Sequence, residues 1–504
     1  MRRLELQLSS PAASSSARPE DAGDAGEASS LMTSRVRPSE TRRATDMAMD
    51  EGLLTGVGLQ NPLHGGSSLN DAPPSSLADA PSKGSVVRNF LLMSLCFSLN
   101  HGTVTALISL AGSELGASLG NTSLGVLYFV YTFTAAFASH SVVALLGAKR
   151  TLVLGLAVYC CYVASYLVAY FVEAAARPAV LVGAALGGAA AGFLWPAQGA
   201  YYAKCAERYA AAADVTREQV NSTLGSYFSC CYLACEVLMK LCSSLLPLAV
   251  PGESTKILYV VYTAVACGSA FFMSFVADVD PPARDGAPVN FGKTALSALS
   301  LLTTDAKCAC MIPMNFAFGF GASYLNGYFM SAVVAPSVGK DKIGYLSSVV
   351  VGSAALLALP LGALGKALGR QAPVVALGAC CFGTFAVANL ALAPAALGSW
   401  PALVPLAVVF GCGRSTWETN FKATFADYFP HAKEAAFANV QLQSGVASTI
   451  GFFVNPRITP DQLGYVALTC SLAAVGAQFA AAKLHAKAAK EPGYGALRGD
   501  ATMA

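Results

Sequence analysis

The amino-acid sequence predicts an all-α membrane protein: twelve transmembrane helices in two pseudo-symmetric six-helix bundles. A deficit of charge, the spacing of the apolar runs and an internal repeat carry that expectation. The chain has 504 residues, 55% hydrophobic and 12% charged, with a mean hydropathy of +0.53. Soluble proteins carry roughly 25% charged residues, so half the usual supply of water-facing side chains is missing. The deficit is uneven: residues 1–84 hold 19 of the 61 charges and no Phe, Tyr or Trp. That stretch lacks the aromatics a core needs and reads as a disordered cytosolic N-terminal tail. The remainder is too apolar to be dissolved in water, so its first partner is the lipid bilayer. Soluble enzymes, secreted disulfide scaffolds and nucleic-acid-binding domains are excluded, and no nucleic acid partner is expected.

The apolar runs fall at 86–111, 122–146, 151–172, 179–203, 221–249 and 256–277, then at 309–334, 343–365, 373–396, 401–424, 434–455 and 463–483. Each is close to the roughly twenty residues that cross the hydrocarbon. They define an N-terminal bundle at 85–277 and a C-terminal bundle at 309–483. A cytosolic linker at 278–308, with Asp278, Asp280, Pro281, Pro282 and Arg284, separates them, and a cytosolic tail follows at 484–504. Basic residues set the orientation. Lys149, Arg150, Lys204, Arg208, Arg217, Arg284, Lys293, Lys307, Lys366, Arg370, Lys483, Lys487 and Lys490 share one side, against Arg177, Lys256, Lys340, Lys342 and Arg457 on the other. Both termini are therefore expected in the cytosol, with the protein in the plasma membrane or an endomembrane.

The fifteen cysteines lie in apolar runs or cytosolic loops, where disulfides do not persist, and none has metal-ligand spacing. No Walker loop, catalytic triad or zinc spacing occurs, so neither an enzyme nor a cofactor is expected. Asn121-Thr122-Ser123 is a sequon in a very short external loop, too close to the bilayer for easy glycosylation; Asn221-Ser222-Thr223 is cytosolic. Asp50-Glu51-Gly52-Leu53-Leu54 has the form of an acidic dileucine sorting signal, a pattern short enough to arise by chance. Arg498-Gly499-Asp500 matches an adhesion tripeptide but is cytosolic by this topology.

Three matches join segment n to segment n+6. Leu99-Asn100-His101-Gly102 in span 1 pairs with Leu325-Asn326-Gly327 in span 7. Trp195-Pro196-Ala197-Gln198 in span 4 pairs with Trp417-Glu418-Thr419-Asn420 in span 10. The loop Gly147-Ala148-Lys149-Arg150 pairs with the loop that runs from Gly362 through Lys366 and Gly369 to Arg370. Three matches in register point to a duplicated six-helix unit. The second loop resembles the signature loop of the major facilitator superfamily, Gly-x-Leu-x-Asp-Arg-x-Gly-Arg, with Lys366 in the acidic position. Gly147, Lys149, Arg150, Gly362, Lys366, Gly369 and Arg370 are accordingly the candidate gating-loop residues. The resemblance implies the major facilitator fold.

A closer resemblance rests on Thr122-Ser123-Leu124-Gly125-Val126-Leu127-Tyr128, the Gly147–Arg150 turn ahead of Tyr159 and Tyr162, and Gly192-Phe193-Leu194-Trp195-Pro196-Ala197-Gln198-Gly199-Ala200-Tyr201. Ile312-Pro313-Met314-Asn315 and Lys433-Glu434-Ala435-Ala436-Phe437-Ala438-Asn439 complete it. Over about 86–456 the chain is similar to the UNC-93 family of twelve-span proteins. One motif departs: Gly411-Cys412-Gly413 precedes Arg414 where that family usually has an acidic residue. The resemblance implies control of potassium-channel activity or trafficking of membrane partners, with an ion channel or other membrane protein as the partner.

A charge at mid-bilayer costs about 2.5–3.5 kcal/mol on insertion scales, so each one needs a reason. At about 1.5 Å per residue, Glu236 lies about 22 Å into span 5, Asn100 about 21 Å into span 1 and Arg414 about 20 Å into span 10. Glu236 and Lys240 are spaced i,i+4, as are Arg414 and Glu418, so each pair shares a helix face. Self-paired structural charges and a charged cavity wall are both consistent with that spacing. The candidate cavity residues are Asn100, Trp195, Gln198, Glu236, Lys240, Asn326, Arg414, Glu418 and Asn420. His101 reads as packing, the tryptophans as interface anchors or cavity wall, and Gln198 and Asn420 as closing the cavity toward the cytosol. Spans 1, 4 and 7 hold no carboxylate, so proton coupling would depend on Glu236 or Glu418. Two functions stay open: a regulator of ion homeostasis, and a secondary transporter of a small ion or polar solute by alternating access.

Overall fold

The computed structural model describes residues 82–213, 215–279 and 293–490. The expected tail through 81, the linker at 280–292 with Arg284, and 491–504 lie outside that range, as do the dileucine-like run and the 498–500 tripeptide. Among the described residues every regular element is helical. The first half comprises α1 (Lys83–Glu114), α2 (Ala117–Phe137, continued after a 63° bend by Ser139–Leu146), α3 (Ala148–Phe171), α4 (Glu173–Ala213), α5 (Arg217–Ala249) and α6 (Ser254–Met273). A linker helix, Lys293–Thr304, leads to α7 (Ala306–Val338) and α8 (Ile343–Ala367). Then come α9 (Ala372–Ala391), α10 (Trp400–Thr416, running on through Tyr428), α11 (Lys433–Val454) and α12 (Pro460–Ala488).

Local chemistry fixes the ends. The Ser82 hydroxyl accepts the Ser85 amide at 3.2 Å to start α1, and the Asp305 carboxylate accepts the Lys307 amide at 2.8 Å to start α7. Thr459 and Gln462 form a reciprocal capping box with Pro460 in the first turn of α12. Gly147, at φ +79°, is the whole connection between α2 and α3, a conformation that side-chain-bearing residues rarely adopt. Two stretches wind as π-helix, Tyr324–Val334 in α7 and Trp417–Phe421 in α10, and both carry candidate cavity residues.

A helix stands at each of the twelve expected positions. By length and apolarity alone, nine of the described helices suffice to cross a membrane, ten with the bent α2 taken as one span. The two that fall short are α10, which carries Arg414, Glu418 and Lys422, and α11, which carries Asn439, Gln441 and Gln443. Both line the centre of the molecule, where polarity is tolerated because lipid is excluded.

Packing repeats between halves. The pairs α1–α5, α1–α6, α2–α4, α3–α4 and α3–α6 recur as α7–α11, α7–α12, α8–α10, α9–α10 and α9–α12. Glycines allow the crossings. A Cβ on Gly102 of α1 would lie 3.0 Å from the Cys235 carbonyl of α5, and one on Gly319 of α7 would collide with the Ser444 carbonyl of α11. The halves meet chiefly through α2 against α11, α5 against α8 and α1 against α7.

On the face away from the linker the halves are tied together. Asn121 Nδ2 donates to the Gly327 carbonyl at 3.2 Å, Lys340 pairs with Glu114 at 3.2 Å, and the Tyr345 amide donates to Ser244 Oγ at 3.0 Å. The sequon asparagine is thus buried at an interface rather than displayed in a loop. Exposed Phe129, Phe133 and Phe137 on α2 and Phe271, Phe272 and Phe275 at the end of α6 give the outer surface the apolar character that a bilayer requires.

Candidate functional site

The two i,i+4 pairs seen in the sequence are one network. Lys240 Nζ lies 3.7 Å from Glu236 Oε1 on α5. Arg414 of α10 reaches across the boundary between halves, with its two terminal nitrogens 3.3 and 3.4 Å from the Glu236 carboxylate. Its Nε donates to Glu418 Oε1 at 2.9 Å. Lys240 Nζ also donates to Ser109 Oγ at 2.9 Å and the Thr105 carbonyl at 3.1 Å, which brings in α1. Glu236 and Lys240 are 2% and 5% exposed, so their charges are held chiefly by one another and by Arg414.

The network lines a cavity of about 200 Å³ together with His101, Tyr128, Asn326 and Phe410. A larger cavity of about 440 Å³ shares His101, Tyr128, Phe318 and Glu418 with it, and extends between α2 and α11 to His140, Lys433 and Glu434 on the linker face. Its walls are aromatic: Trp195 packs edge-on against Phe97 at 4.9 Å, His101 at 5.1 Å and Tyr232 at 5.7 Å. Opposite, Phe318 stacks on Trp417 at 3.7 Å, and Lys422 Nζ lies 4.6 Å from the centre of the Trp417 ring. Trp195 and Trp417 are cavity wall, not anchors at the lipid interface.

A hydrogen-bonded chain runs from this wall to the linker helix. Trp417 Nε1 donates to Asn315 Oδ1 at 2.9 Å, Asn315 Nδ2 to Gln443 Oε1 at 2.7 Å, and Gln443 Nε2 to Asn439 Oδ1 at 3.2 Å. Asn439 Nδ2 then donates to the Ala298 carbonyl at 2.8 Å, and Ala295 and Ala298 line the larger cavity. A net buried hydrogen bond is worth about 1 kcal/mol, so Asn439→Ala is expected to raise amide exchange of Lys293–Thr304 about fivefold and leave α3 unchanged. Hydrogen-exchange mass spectrometry checks this; equal exchange in both proteins would remove the clasp.

Three predicted cavity residues do not line either cavity. Asn100 is turned about 100° around the helix from His101 and donates to the Ala266 carbonyl of α6 at 2.9 Å. The reading of Asn100 and Asn326 as equivalents fails with it. Asn100 faces α6, whereas Asn326 lines the smaller cavity. Asn420 donates to the Leu361 carbonyl at 3.2 Å and Gln371 Oε1 at 2.8 Å, so it braces α10 against the end of α8 and the loop that follows. Gln198 is fully buried in α4.

The gating-loop candidates sit apart from the cavities. Gly147 makes the α2–α3 connection with Lys149 and Arg150 in the first turn of α3; Gly362 and Lys366 are in the last turns of α8, and Gly369, at φ +61°, precedes Arg370. His101, read as packing, lines both cavities. Lys422 went unnoticed, although Arg414, Glu418 and Lys422 repeat every four residues. Asn315 stands at the end of the Ile312–Asn315 run that carries the family resemblance, and Gln443 shows no sequence signal beyond its polarity.

Paired six-helix bundles around a central, partly charged cavity define a membrane protein of the major facilitator fold. Solved structures share it: the nucleoside transporter NupG, 13% identical with a TM-score of 0.56 over 79% of this chain and 98% of that one. The xylose transporter XylE from E. coli is 13% identical with a TM-score of 0.54, over 80% and 96%. Residues 112–479 match the family described as ion channel regulatory protein UNC-93, and the chain belongs to that family. Relatives include protein unc-93 homolog A of Bos taurus, 28% identical over 78% of this chain and 93% of its own length. UNC93-like protein 3 of Arabidopsis thaliana is 25% identical over 74% and 79%.

Proposed function

We propose that this UNC-93 protein is a carrier of a small polar or ionic solute that serves ion homeostasis, its halves rocking about the central cavity. One observation carries the reading. The Glu236–Arg414 bridge joins the halves at the inner end of a cavity that is closed on the far face and extends to the linker face. A solute that competes for those charges would loosen the bridge and so couple its own binding to movement of the halves. In this reading the linker face is cytosolic, both termini are cytosolic, and the protein is not an enzyme.

Flux into proteoliposomes under potassium, sodium and proton gradients tests it, with the Glu236→Gln, Arg414→Gln double variant as control. Flux in the native protein that the double variant loses is the expected result; absence of flux in a folded native preparation under every gradient overturns the reading for these ions. The family's description favours a second reading, in which the protein regulates a potassium channel or the trafficking of a membrane partner. Self-neutralised charges would then be a fixed brace. Altered channel current on co-expression, with silent proteoliposomes, would select it.

A further inference from the structure

The ionic network leaves one cation over. Lys240 and Arg414 face two carboxylates, Glu236 and Glu418. Lys422, four residues beyond Glu418, is 6% exposed and lines the larger cavity. Among the described residues its Nζ makes no hydrogen bond or ion pair, and it lies against the Trp417 ring. The Glu418 oxygen nearest the network is engaged by Arg414 at 2.9 Å. The position that matches Lys422 when Trp195 is aligned with Trp417 is Ala200, also in the cavity wall, so the extra charge has no counterpart in the first half.

A buried ammonium whose neighbouring carboxylate, Glu418, is already bridged to Arg414 is costly to hold, and here it borders space large enough for an organic molecule. We propose that the larger cavity binds a planar organic monoanion. Its carboxylate sits on Lys422, and its ring system lies against the wall formed by Tyr128, Tyr131, Tyr159 and Trp195. Over the two connected cavities Lys240, Arg414 and Lys422 face Glu236 and Glu418, while Lys433 and Glu434 at the linker end offset each other, so one positive charge is left and the ligand's charge is minus one. The aromatic wall sets its body, because flat apolar rings gain from stacking and edge contacts. An organic cation would use the same rings but would be repelled by Lys422, which already occupies the Trp417 ring. An inorganic anion would leave the aromatic wall unused.

The proposal rests on the carrier reading in that it names the solute of the same cavity, and equilibrium binding separates the two. The probes are radiolabelled 2-naphthoate, neutral 2-naphthamide and cationic 2-naphthylmethylammonium, added to the full-length protein in nanodiscs. Naphthoate is expected to bind about tenfold or more tighter than naphthamide, with the ammonium weakest. Lys422→Gln should remove that preference, weakening naphthoate far more than naphthamide, whereas Lys422→Arg should retain it. Should Lys422→Gln fail to fold, the ranking of the three probes on the native protein still decides. Equal binding of naphthoate and naphthamide, or tighter binding of the ammonium, overturns the proposal, as does displacement of naphthoate by physiological chloride but not by 1-naphthoate. Tight naphthoate binding with neither naphthoate flux nor ion flux would uphold the site and overturn the carrier reading; ion flux without naphthoate binding would do the reverse.

Discussion

Glu236→Gln is expected to lower stability by about 3–5 kcal/mol, more than any other single charge removal in the network. The carboxylate is central: Lys240 lies 3.7 Å from one of its oxygens and Arg414 3.3 Å from the other. Its loss leaves two cations facing a neutral amide. Arg414 keeps Glu418 at 2.9 Å, but Lys240 keeps only the Ser109 hydroxyl and the Thr105 carbonyl. Arg414→Gln should cost less, because Glu236 retains Lys240 and Glu418 is one-fifth exposed to the cavity. The double variant Glu236→Gln, Arg414→Gln removes one charge of each sign and should be more stable than Glu236→Gln alone. Thermal denaturation of the four proteins in nanodiscs closes the cycle. Additive losses would mean that the bridge between halves contributes no coupling energy, and the brace would have to be sought elsewhere.

The same network shows where sequence reasoning stops. Relative level was legible: counting residues from opposite sides of the bundle put Glu236 and Arg414 at a similar height, where they do pair, and the i,i+4 spacing put each with a neighbour. Rotation was not. A helix turns about 100° per residue, so the step from Asn100 to His101 exchanges a contact with α6 for a place in the cavity wall. No hydropathy pattern registers that difference inside a bundle buried on most sides. The duplication was legible through Trp195 and Trp417, which do occupy corresponding walls. The asparagine match misled because two identical residues in an apolar run say nothing of register. Lys422 was missed because a lysine near the end of a span reads as an interface residue, whereas the π-helical turn at Trp417–Phe421 and the aromatic wall keep it inside. The clasp from Asn439 to Ala298 joins a membrane helix to the linker helix, a contact that neither segment's sequence specifies.

Gly319→Ala is expected to prevent correct assembly of the second half, although it adds one methyl group. Lipid tails are as apolar as leucine, so helices in a bilayer associate through close packing and not through exclusion from water. At the α7–α11 crossing the added Cβ would collide with the Ser444 carbonyl and lie 2.9 Å from Ala447 Cβ, both on α11. A carbonyl cannot rotate aside as a side chain can, so α11 itself must shift. That helix also carries the Gln441 acceptor for Tyr131 and the Asn439–Gln443 portion of the chain to the linker helix. Its displacement would therefore loosen the contact between halves and the clasp together. Overpacking alone costs about 1–3 kcal/mol, and these lost hydrogen bonds add to it. Gly102→Ala, at the matching α1–α5 crossing, should be milder: its Cβ would meet Met239 Cγ at 2.9 Å, a flexible side chain, and the Cys235 carbonyl at 3.0 Å. Gly352→Ala on α8 has no atom within 4 Å and should be neutral or stabilising by up to about 1 kcal/mol, since alanine favours a helix. Monodispersity after detergent extraction and the melting temperature should therefore rank Gly352→Ala above Gly102→Ala above Gly319→Ala. A Gly319→Ala protein as stable as Gly352→Ala would mean that α7 and α11 do not cross at this distance, and the path from Trp417 to the linker helix would fall with that crossing.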